Sequence, residues 1–275
     1  MSNSKFGLRT RKGLIRSFVE GAQAVLFDAD ALAYITANTA ITSTADKNAI
    51  NTFFLGLKSD GIYTKMKAMY LPIWGTSANC KFNLIAPNGS YDLTFTTGWT
   101  FSSGGMTPSN AYANTSIIPR TVLSYGNSHA SFYNRTNSNT GAWDHGAVSN
   151  LNNDKFYLRF DGANNYTVGI QESASSIITT GSGACFIIGT MTTPTTIAGY
   201  KNGVLSRSDT VVATNNLPNN ANIYLGACSY GPGINAYGFR QYAFSSVGDG
   251  LTATQATNLS NRVNTLMTHF GINVY

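Results

Sequence analysis

The sequence predicts a mainly β protein, an antiparallel β-sandwich with a pair of helices before it and one helix after it. Short apolar runs with β-branched residues, such as residues 186–188, recur through residues 183–251 between turn residues, as the strands of a sandwich do. Asn202-Gly203 lies between apolar residues, and such a pair is a strong hairpin signal because both turn positions take a positive φ. No helical pattern occurs between about residues 75 and 250, which excludes parallel βαβ folds.

Two helices are predicted between residues 28 and 60. Asp28 suits the N-cap of the first, and Asp30 lies in the first turn, where the helix dipole favours an acid. Ser43 or Thr44 caps the second helix, and Gly61 ends it. The apolar stripe of the second helix, at i, i+3, i+4 and i+7, consists of Ile50, Phe53, Phe54 and Leu57. We expect the helical pair to cover one edge or end of the sandwich.

The strands are predicted to begin near residue 65, with a first strand that Pro72 ends. A hairpin is expected from residues 80–85 and 91–95, because apolar residues alternate on both sides of a Pro-Asn-Gly turn. The Ser/Thr/Asn/Gly-rich stretches 102–116 and 134–153 are expected to be long loops. Further strands are predicted at 122–133, 156–160 and 166–170, the last two joined by a turn at Asp161-Gly162.

A final helix is predicted near residues 252–270. Thr252 with Gln255 three positions later is a capping-box pattern, and Gly271 ends the helix. Its apolar stripe must pack on another element, and the sheet is the expected partner. The stripe consists of Ala256, Leu259, Val263, Leu266, Met267 and Phe270.

The order of the last elements, from the Asn-Gly hairpin through an I-Y-L-G strand and G-D-G-L-T to the helix, resembles concanavalin A-like (laminin-G-like) jelly-roll domains. Upstream, the segments DADALAYIT, AINTFFLGLKSDGIYTKMKAMYLPIWG and LTFTTGWTFSSGG resemble bacteriophage virion proteins with that fold. The resemblance implies a virion structural protein, such as a head fibre, a spike or a decoration. It also implies assembly in the host cytoplasm, contact with capsid or portal-tail proteins, and a homo-oligomer, with a trimer as the expectation.

The charge divides the chain into residues 1–21, a basic arm, and residues 22–275, expected to be one β-sandwich domain. The arm carries a net charge of +4 and the whole chain +6, so the body is close to +2. We expect the arm to dock on an acidic virion surface; a frayed, solvated terminus is the alternative. Nucleic acid is not expected as a partner, because the body has no basic stripe. The arm's cations are Lys5, Arg9, Arg11, Lys12 and Arg16, set against Glu20.

Enzymatic activity is not expected, and no catalytic residue is predicted. Jelly rolls also occur in glycoside hydrolases, which need two carboxylates beside the scissile bond. Here the only glutamates are Glu20, in the arm, and Glu172, without an acidic neighbour. No nucleophile elbow or phosphate-binding glycine pattern is present. A glycan hydrolase on the same fold, a tail adhesin and a decoration without a ligand remain the alternatives.

Two segments are candidates for binding host-surface glycans. Trp143, Asp144 and His145 lie in GAWDHG, and Tyr230 and Tyr237 lie in SYGPGINAYG, both of which we expect to be glycine-rich loops. Aromatic rings can stack on sugars while polar groups bind the hydroxyls. Core or loop-anchoring roles for these aromatic residues are the alternative interpretation.

Neither a metal site nor a cofactor is expected. The three cysteines, Cys80, Cys185 and Cys228, lie beside apolar strand patterns without CxxC spacing, so they are expected to be buried free thiols. No apolar run is long enough to span a membrane, and we see no signal-peptide pattern at the N-terminus.

Overall fold

The computed structural model describes residues 26–138, 140–149, 154–161, 165–171, 176–179, 183–210, 217–230 and 233–275. Within these residues, two large and mainly antiparallel sheets face each other and helices pack on one of them. The predicted mainly β sandwich, with its N-terminal helical pair and its C-terminal helix, is thereby confirmed. The predicted basic arm, residues 1–21, lies outside the described residues.

The helices are three longer elements and three single turns. They are α1 Ala29–Ala37, α2 Thr44–Ser59, the 3-10 turn Tyr63–Lys65, α3 Ser77–Cys80, α4 Pro119–Val122 and α5 Ala253–His269. The strands of the first half are β1 Met66–Tyr70, β2 Thr94–Phe95, β3 Trp99–Ser102, β4 Gly105–Pro108, β5 Ala113–Asn114, β6 Ser128–Asn134, β7 Ala142–Val148 and β8 Lys155–Phe160. Those that follow are β9 Asn165–Ile170, β10 Ser176–Thr179, β11 Cys185–Thr193, β12 Thr196–Lys201, β13 Val204–Thr210, β14 Tyr224–Leu225, β15 Ala227–Tyr230, β16 Gly233–Tyr237 and β17 Tyr242–Gly248.

The first sheet has the order β13-β12-β11-β6-β17-β4-β3, and β1 also pairs with β17. The second sheet has the order β10-β9-β8-β7-β14-β5-β2, with the β15–β16 hairpin beside β7. Among the described strands, the pairing of β15 with β7 is the one parallel contact. Strands that are distant in sequence therefore lie side by side, as in Greek-key sandwiches.

Alternating residues of the first sheet divide the interior into two cores. Phe132 on β6 points towards the second sheet, whereas its neighbour Tyr133 points towards the helices. Phe244 on β17 also faces the helices, and its ring meets that of Phe53 edge-on, with centroids 6.0 Å apart. The helices therefore cover a face of the first sheet, and our expectation that they cover an edge or end was wrong. The reason is that this sheet has apolar side chains on both of its faces.

The predicted helix caps are confirmed. Asp28 accepts hydrogen bonds from the first turn of α1, and Ser43 caps α2. Thr252 and Gln255 form the reciprocal capping box of α5. At the β12–β13 hairpin, Asn202 and Gly203 have φ values of 51° and 84°, the left-handed pair that an Asn-Gly turn requires.

The hairpin predicted from residues 80–85 and 91–95 does not form. Cys80 ends the short helix α3, and β2 keeps only Thr94 and Phe95 of the second strand. The buried side chain of Asn83 accepts from the Met69 N–H at 3.1 Å and donates to the carbonyl of Ser90 at 3.0 Å. Such side-chain bonds satisfy the backbone without a strand ladder, which is why the apolar alternation was misleading.

The polar stretches predicted as loops contain strands as well. Residues 102–116 include β4 and β5, and residues 134–153 include β7. β7 lies between β8 and β14, so hydrogen bonds to its neighbours hold its backbone despite its glycines and polar residues. The three cysteines are free and buried, as predicted, and burial raises the pKa of the Cys185 thiol to about 12.

Candidate functional site

The two segments predicted as glycine-rich loops are neighbouring strands. GAWDHG lies in β7, and SYGPGINAYG supplies most of the β15–β16 hairpin, whose first strand runs parallel to β7 with Cys228 opposite Gly146. The loop prediction was therefore wrong, and the structure brings the two segments together as neighbouring strands, which the sequence did not predict. Gly238, which follows Tyr237, packs so closely that a Cβ there would lie 2.9 Å from the Trp143 carbonyl oxygen.

A β-bulge in β7 separates the predicted ligand residues. Trp143 is opposite Arg159 of β8 and His145 is opposite Leu158. Asp144 is therefore an extra residue with no cross-strand neighbour on β8. The bulge allows Trp143 to pack in a small outer cluster with Tyr157, whereas Asp144 and His145 are fully buried. The side chains of Asp144 and His145 therefore do not fit a glycan-binding role.

The outer cluster forms a platform that we call the Trp143 face: Trp143, Tyr157, Arg159 and Thr167. The Trp143 ring meets the Tyr157 ring at 4.6 Å, and the Arg159 guanidinium lies 5.1 Å from the Trp143 ring centroid. Thr167 follows as the cross-strand neighbour of Arg159. Trp143 is half-buried and Arg159 is exposed, so both are accessible to a ligand.

Arg159 is a cation without an ionic partner in the part of the chain that the structure describes. Stacking on Trp143 orients the guanidinium without neutralising it. Of the two predicted tyrosines, Tyr237 is 37% exposed at the end of β16, and Tyr230 is the last residue of β15. Sequence reasoning missed Arg159 because nothing in residues 155–160 indicates its cross-strand position beside Trp143.

Asp144 has a structural role in the interior. Nη1 of Arg240 donates to its two carboxylate oxygens at 3.0 and 3.2 Å, and Nη2 donates to the carbonyl of Thr140. The guanidinium lies 4.3 Å from the centroid of the Phe160 ring. Both members of the pair are fully buried, and burial raises the pKa of Asp144 to about 6 against the opposing pull of Arg240.

His145 is buried next to Phe156, and neither ring nitrogen has a hydrogen-bond partner among the described residues. Burial lowers the pKa of His145 to about 3, so the ring is neutral at physiological pH. The His145 ring lies entirely in the interior and does not reach the surface, so it cannot contact a ligand there.

A serine–histidine arrangement lies beneath the helices. His129 Nε2 is 3.0 Å from the Ser246 hydroxyl, and His129 Nδ1 is 2.6 Å from the carbonyl of Asp249. Ser131 bonds to Ser246 at 2.6 Å across two neighbouring strands. In an open cleft this geometry would activate a nucleophile, but all three side chains are fully buried. Burial also lowers the pKa of His129 to about 4.

Neither a metal centre nor a membrane helix is visible in the described ranges. No group of three or more His, Cys, Asp or Glu side chains there is placed to hold a metal ion. No helix formed by those residues is long and apolar enough to cross a membrane.

No model of a known protein family matches the chain, and no curated protein matches its sequence. Solved structures match it at low identity. NanB sialidase from Streptococcus pneumoniae is 13% identical over 53% of this chain and 26% of the sialidase chain, with a TM-score of 0.42. The binding domain of botulinum neurotoxin serotype D is 13% identical over 73% of this chain and 52% of its own, with a TM-score of 0.45. The receptor binding domain of the C/D mosaic serotype gives the same identity and coverage, with a TM-score of 0.46.

The chain thus spans about a quarter of the sialidase chain and about half of the toxin chains. At these identities the likeness concerns the fold alone.

Proposed function

We propose that this chain is a virion structural protein, a head fibre, spike or decoration, whose β-sandwich binds host-surface glycans at the Trp143 face. The observation that supports glycan binding is the accessible Trp143–Arg159 pair on neighbouring strands of the second sheet. The virion role rests on the resemblance of segments 28–36, 49–75 and 93–105 and the closing G-D-G-L-T to bacteriophage virion proteins. We further propose that residues 1–21 attach the protein to capsid or portal-tail proteins.

The chemistry of the Trp143 face suits a saccharide. An indole face can pack against the C–H face of a pyranose ring, and the Tyr157 ring meets the indole edge-on, with centroids 4.6 Å apart. The hydroxyl of Thr167 and the guanidinium of Arg159 are within one cross-strand step and can bind sugar hydroxyls. Because Arg159 has no carboxylate partner among the described side chains, we propose a glycan that carries a carboxylate or sulfate group.

The first test is glycan binding by the Trp143→Ala variant. We expect it to lose about tenfold in affinity, because it removes an aromatic contact worth about 0.5–1.5 kcal/mol together with the apolar area that the indole buries against the sugar. The full-length chain would be screened on a glycan array, and the best ligand titrated by calorimetry. Tyr125→Ala, which removes an exposed tyrosine elsewhere, serves as the matched control, and melting curves establish that each variant is folded.

The Arg159→Ala variant tests which class of glycan binds, whereas Trp143→Ala tests whether the site exists. Arg159→Ala should weaken the binding of acidic glycans by a larger factor than that of neutral glycans, because only acidic glycans lose a charge-assisted hydrogen bond. Equal affinity of wild type and Trp143→Ala for every bound glycan would refute the proposed site. Binding without a preference for acidic glycans would refute only the acidic class.

The arm is tested by deleting residues 1–21. If the arm is the anchor, the truncated chain stays folded but no longer rebinds virions stripped of this protein, because the arm carries +4 of the +6 net charge. Raising the salt concentration should weaken docking of the full chain in parallel. Unimpaired docking of the truncated chain would contradict the anchor.

We also propose that the protein is not an enzyme. Of the groups that could act in hydrolysis, Asp144 is held by Arg240, and the Ser246–His129 pair lies beneath the helices. A tail adhesin would use the same Trp143 face at another position on the virion, so only the location on the particle distinguishes it. Turnover of the bound glycan would favour the hydrolase alternative instead.

A further inference from the structure

Strand β13 is the terminal strand of the first sheet, and it pairs with β12 on one side only among the described strands. Nearly all of its side chains are exposed, including Val204 at 69% and Leu205 at 52%. An edge strand presents unpaired backbone N–H and C=O groups, and natural proteins usually protect such an edge. β13 contains no proline, and its protection consists of a bulge at Ser206 and the charged side chains of Arg207 and Asp209. Such charges discourage pairing with a strand unless the charges of that strand are complementary.

The sequence of β13 is self-complementary about Ser208. When two copies of the strand run antiparallel with Ser208 opposite Ser208, Arg207 of each copy lies opposite Asp209 of the other. In the same register Ser206 lies opposite Thr210. Opposite charges and paired hydroxyls are both favourable cross-strand neighbours.

The two charges also specify the register. Moving the two-fold centre to residue 207 places Arg207 opposite itself, and moving it to residue 209 places Asp209 opposite itself. Like charges that face each other directly across a strand pair are destabilising. Only the centre at Ser208 pairs each charge with its opposite.

We propose that β13 pairs with β13 of a second copy of this chain across a two-fold axis at Ser208, joining the two first sheets into one continuous sheet. Within one chain, Arg207 Nε already lies 2.7 Å from a carboxylate oxygen of Asp209. In the pair, the four charges would form an alternating cluster at the axis, and the edge groups of both strands would be satisfied. Such an isologous contact produces dimers and assemblies of dimers.

The contact is independent of the proposed glycan site, because β13 belongs to the first sheet and the Trp143 face to the second. It also differs from the trimer that the sequence resemblance implies. A two-fold edge contact predicts an even number of subunits, so the oligomer order separates the two expectations.

Charge reversal provides a test that does not depend on loss of folding. Arg207→Asp places four acids at the axis and Asp209→Arg places four cations there, so we expect each variant alone to dimerise at least about tenfold more weakly. An equimolar mixture of the two restores every opposite-charge pair and should form a heterodimer. Sedimentation velocity of the full-length chains, with one variant fluorescently labelled, measures all three states.

Lys47→Glu, which reverses a charge on α2, is the matched control and should associate like the wild type. A wild-type chain that sediments as a monomer or as a trimer overturns the proposal. So do single variants that dimerise as tightly as the wild type, or a mixture that forms no more heterodimer than either variant forms homodimer. Thermal melting of each variant confirms that the comparison is between folded chains.

Discussion

Replacing Arg240 by methionine should lower the free energy of unfolding by about 3–5 kcal/mol, because it leaves the carboxylate of Asp144 buried without its partner. Both side chains are fully buried, and Arg240 also donates to the Thr140 carbonyl. Methionine keeps much of the volume next to Phe160, so the expected loss comes mainly from the unpaired charge and not from a cavity.

Two comparisons make this prediction specific. The double variant Arg240→Met with Asp144→Leu removes both charges, and we expect it to recover most of the lost stability. Arg262→Met breaks a more exposed ion pair, with Asp60, and should cost less than about 1 kcal/mol. Urea unfolding followed by tryptophan fluorescence measures all three. The prediction fails if Arg240→Met lowers the free energy of unfolding by no more than Arg262→Met does. The buried Arg240–Asp144 pair would then not behave as a desolvated charge pair.

Acidification from pH 6.5 to about pH 4 should destabilise the protein steeply through His129 and His145, whose pKa values burial lowers from 6.5 to about 4 and about 3. The unfolded chain binds a proton at each of these histidines below pH 6.5, whereas the folded chain does not. Each histidine therefore contributes a slope of about 1.4 kcal/mol per pH unit, with stability falling as the pH falls.

Asp144 acts in the opposite direction. Its pKa is raised from 3.8 to about 6, so between these values the folded chain binds a proton that the unfolded chain does not. The stabilising contribution of Asp144 to the free energy of unfolding is fully present below pH 3.8 and is lost as the pH rises through about 6. The three groups together leave a net loss of stability on acidification, because two histidines oppose one carboxyl group.

The pH prediction is measured by urea unfolding at intervals between pH 4 and 7. His129→Gln should reduce the dependence of the free energy of unfolding on pH by the contribution of one histidine, about 1.4 kcal/mol per pH unit. His145→Leu should do the same, and it also removes two ring nitrogens that have no hydrogen-bond partner among the described residues. His269→Gln is the control, because His269 is partly exposed at the end of α5 and pairs with Asp46. A slope that neither interior variant changes would contradict the assignment to these histidines.

Local features of the fold could be predicted because they depend on neighbouring residues. Asp28, Ser43 and Thr252 cap helices by bonding to N–H groups within the next three residues. The Asn202-Gly203 turn depends on two φ angles. Periodic apolar residues identified α2 and α5 as amphipathic helices for the same reason.

Features that depend on distant partners could not be predicted. The expected hairpin does not form because the Asn83 side chain accepts a hydrogen bond from the N–H of Met69, which lies 14 residues earlier. Asp144 suggested a ligand contact in the sequence, but Arg240, 96 residues later, holds it in the interior. A polar residue has the same sequence neighbours whether it lies at the surface or in the interior. Burial is stable only when a partner satisfies the polar group, and that partner can be distant in sequence.

The sequence alone therefore determined the class of fold, its helix caps, its Asn-Gly hairpin, the buried cysteines and the uneven charge, because each follows from composition or from short-range bonding. The tertiary structure alone decided that the helices cover a sheet face, that Arg159 stacks on Trp143, and that β13 is a terminal strand. These depend on which strands become neighbours, and strand order results from packing of the whole chain, which no local segment encodes.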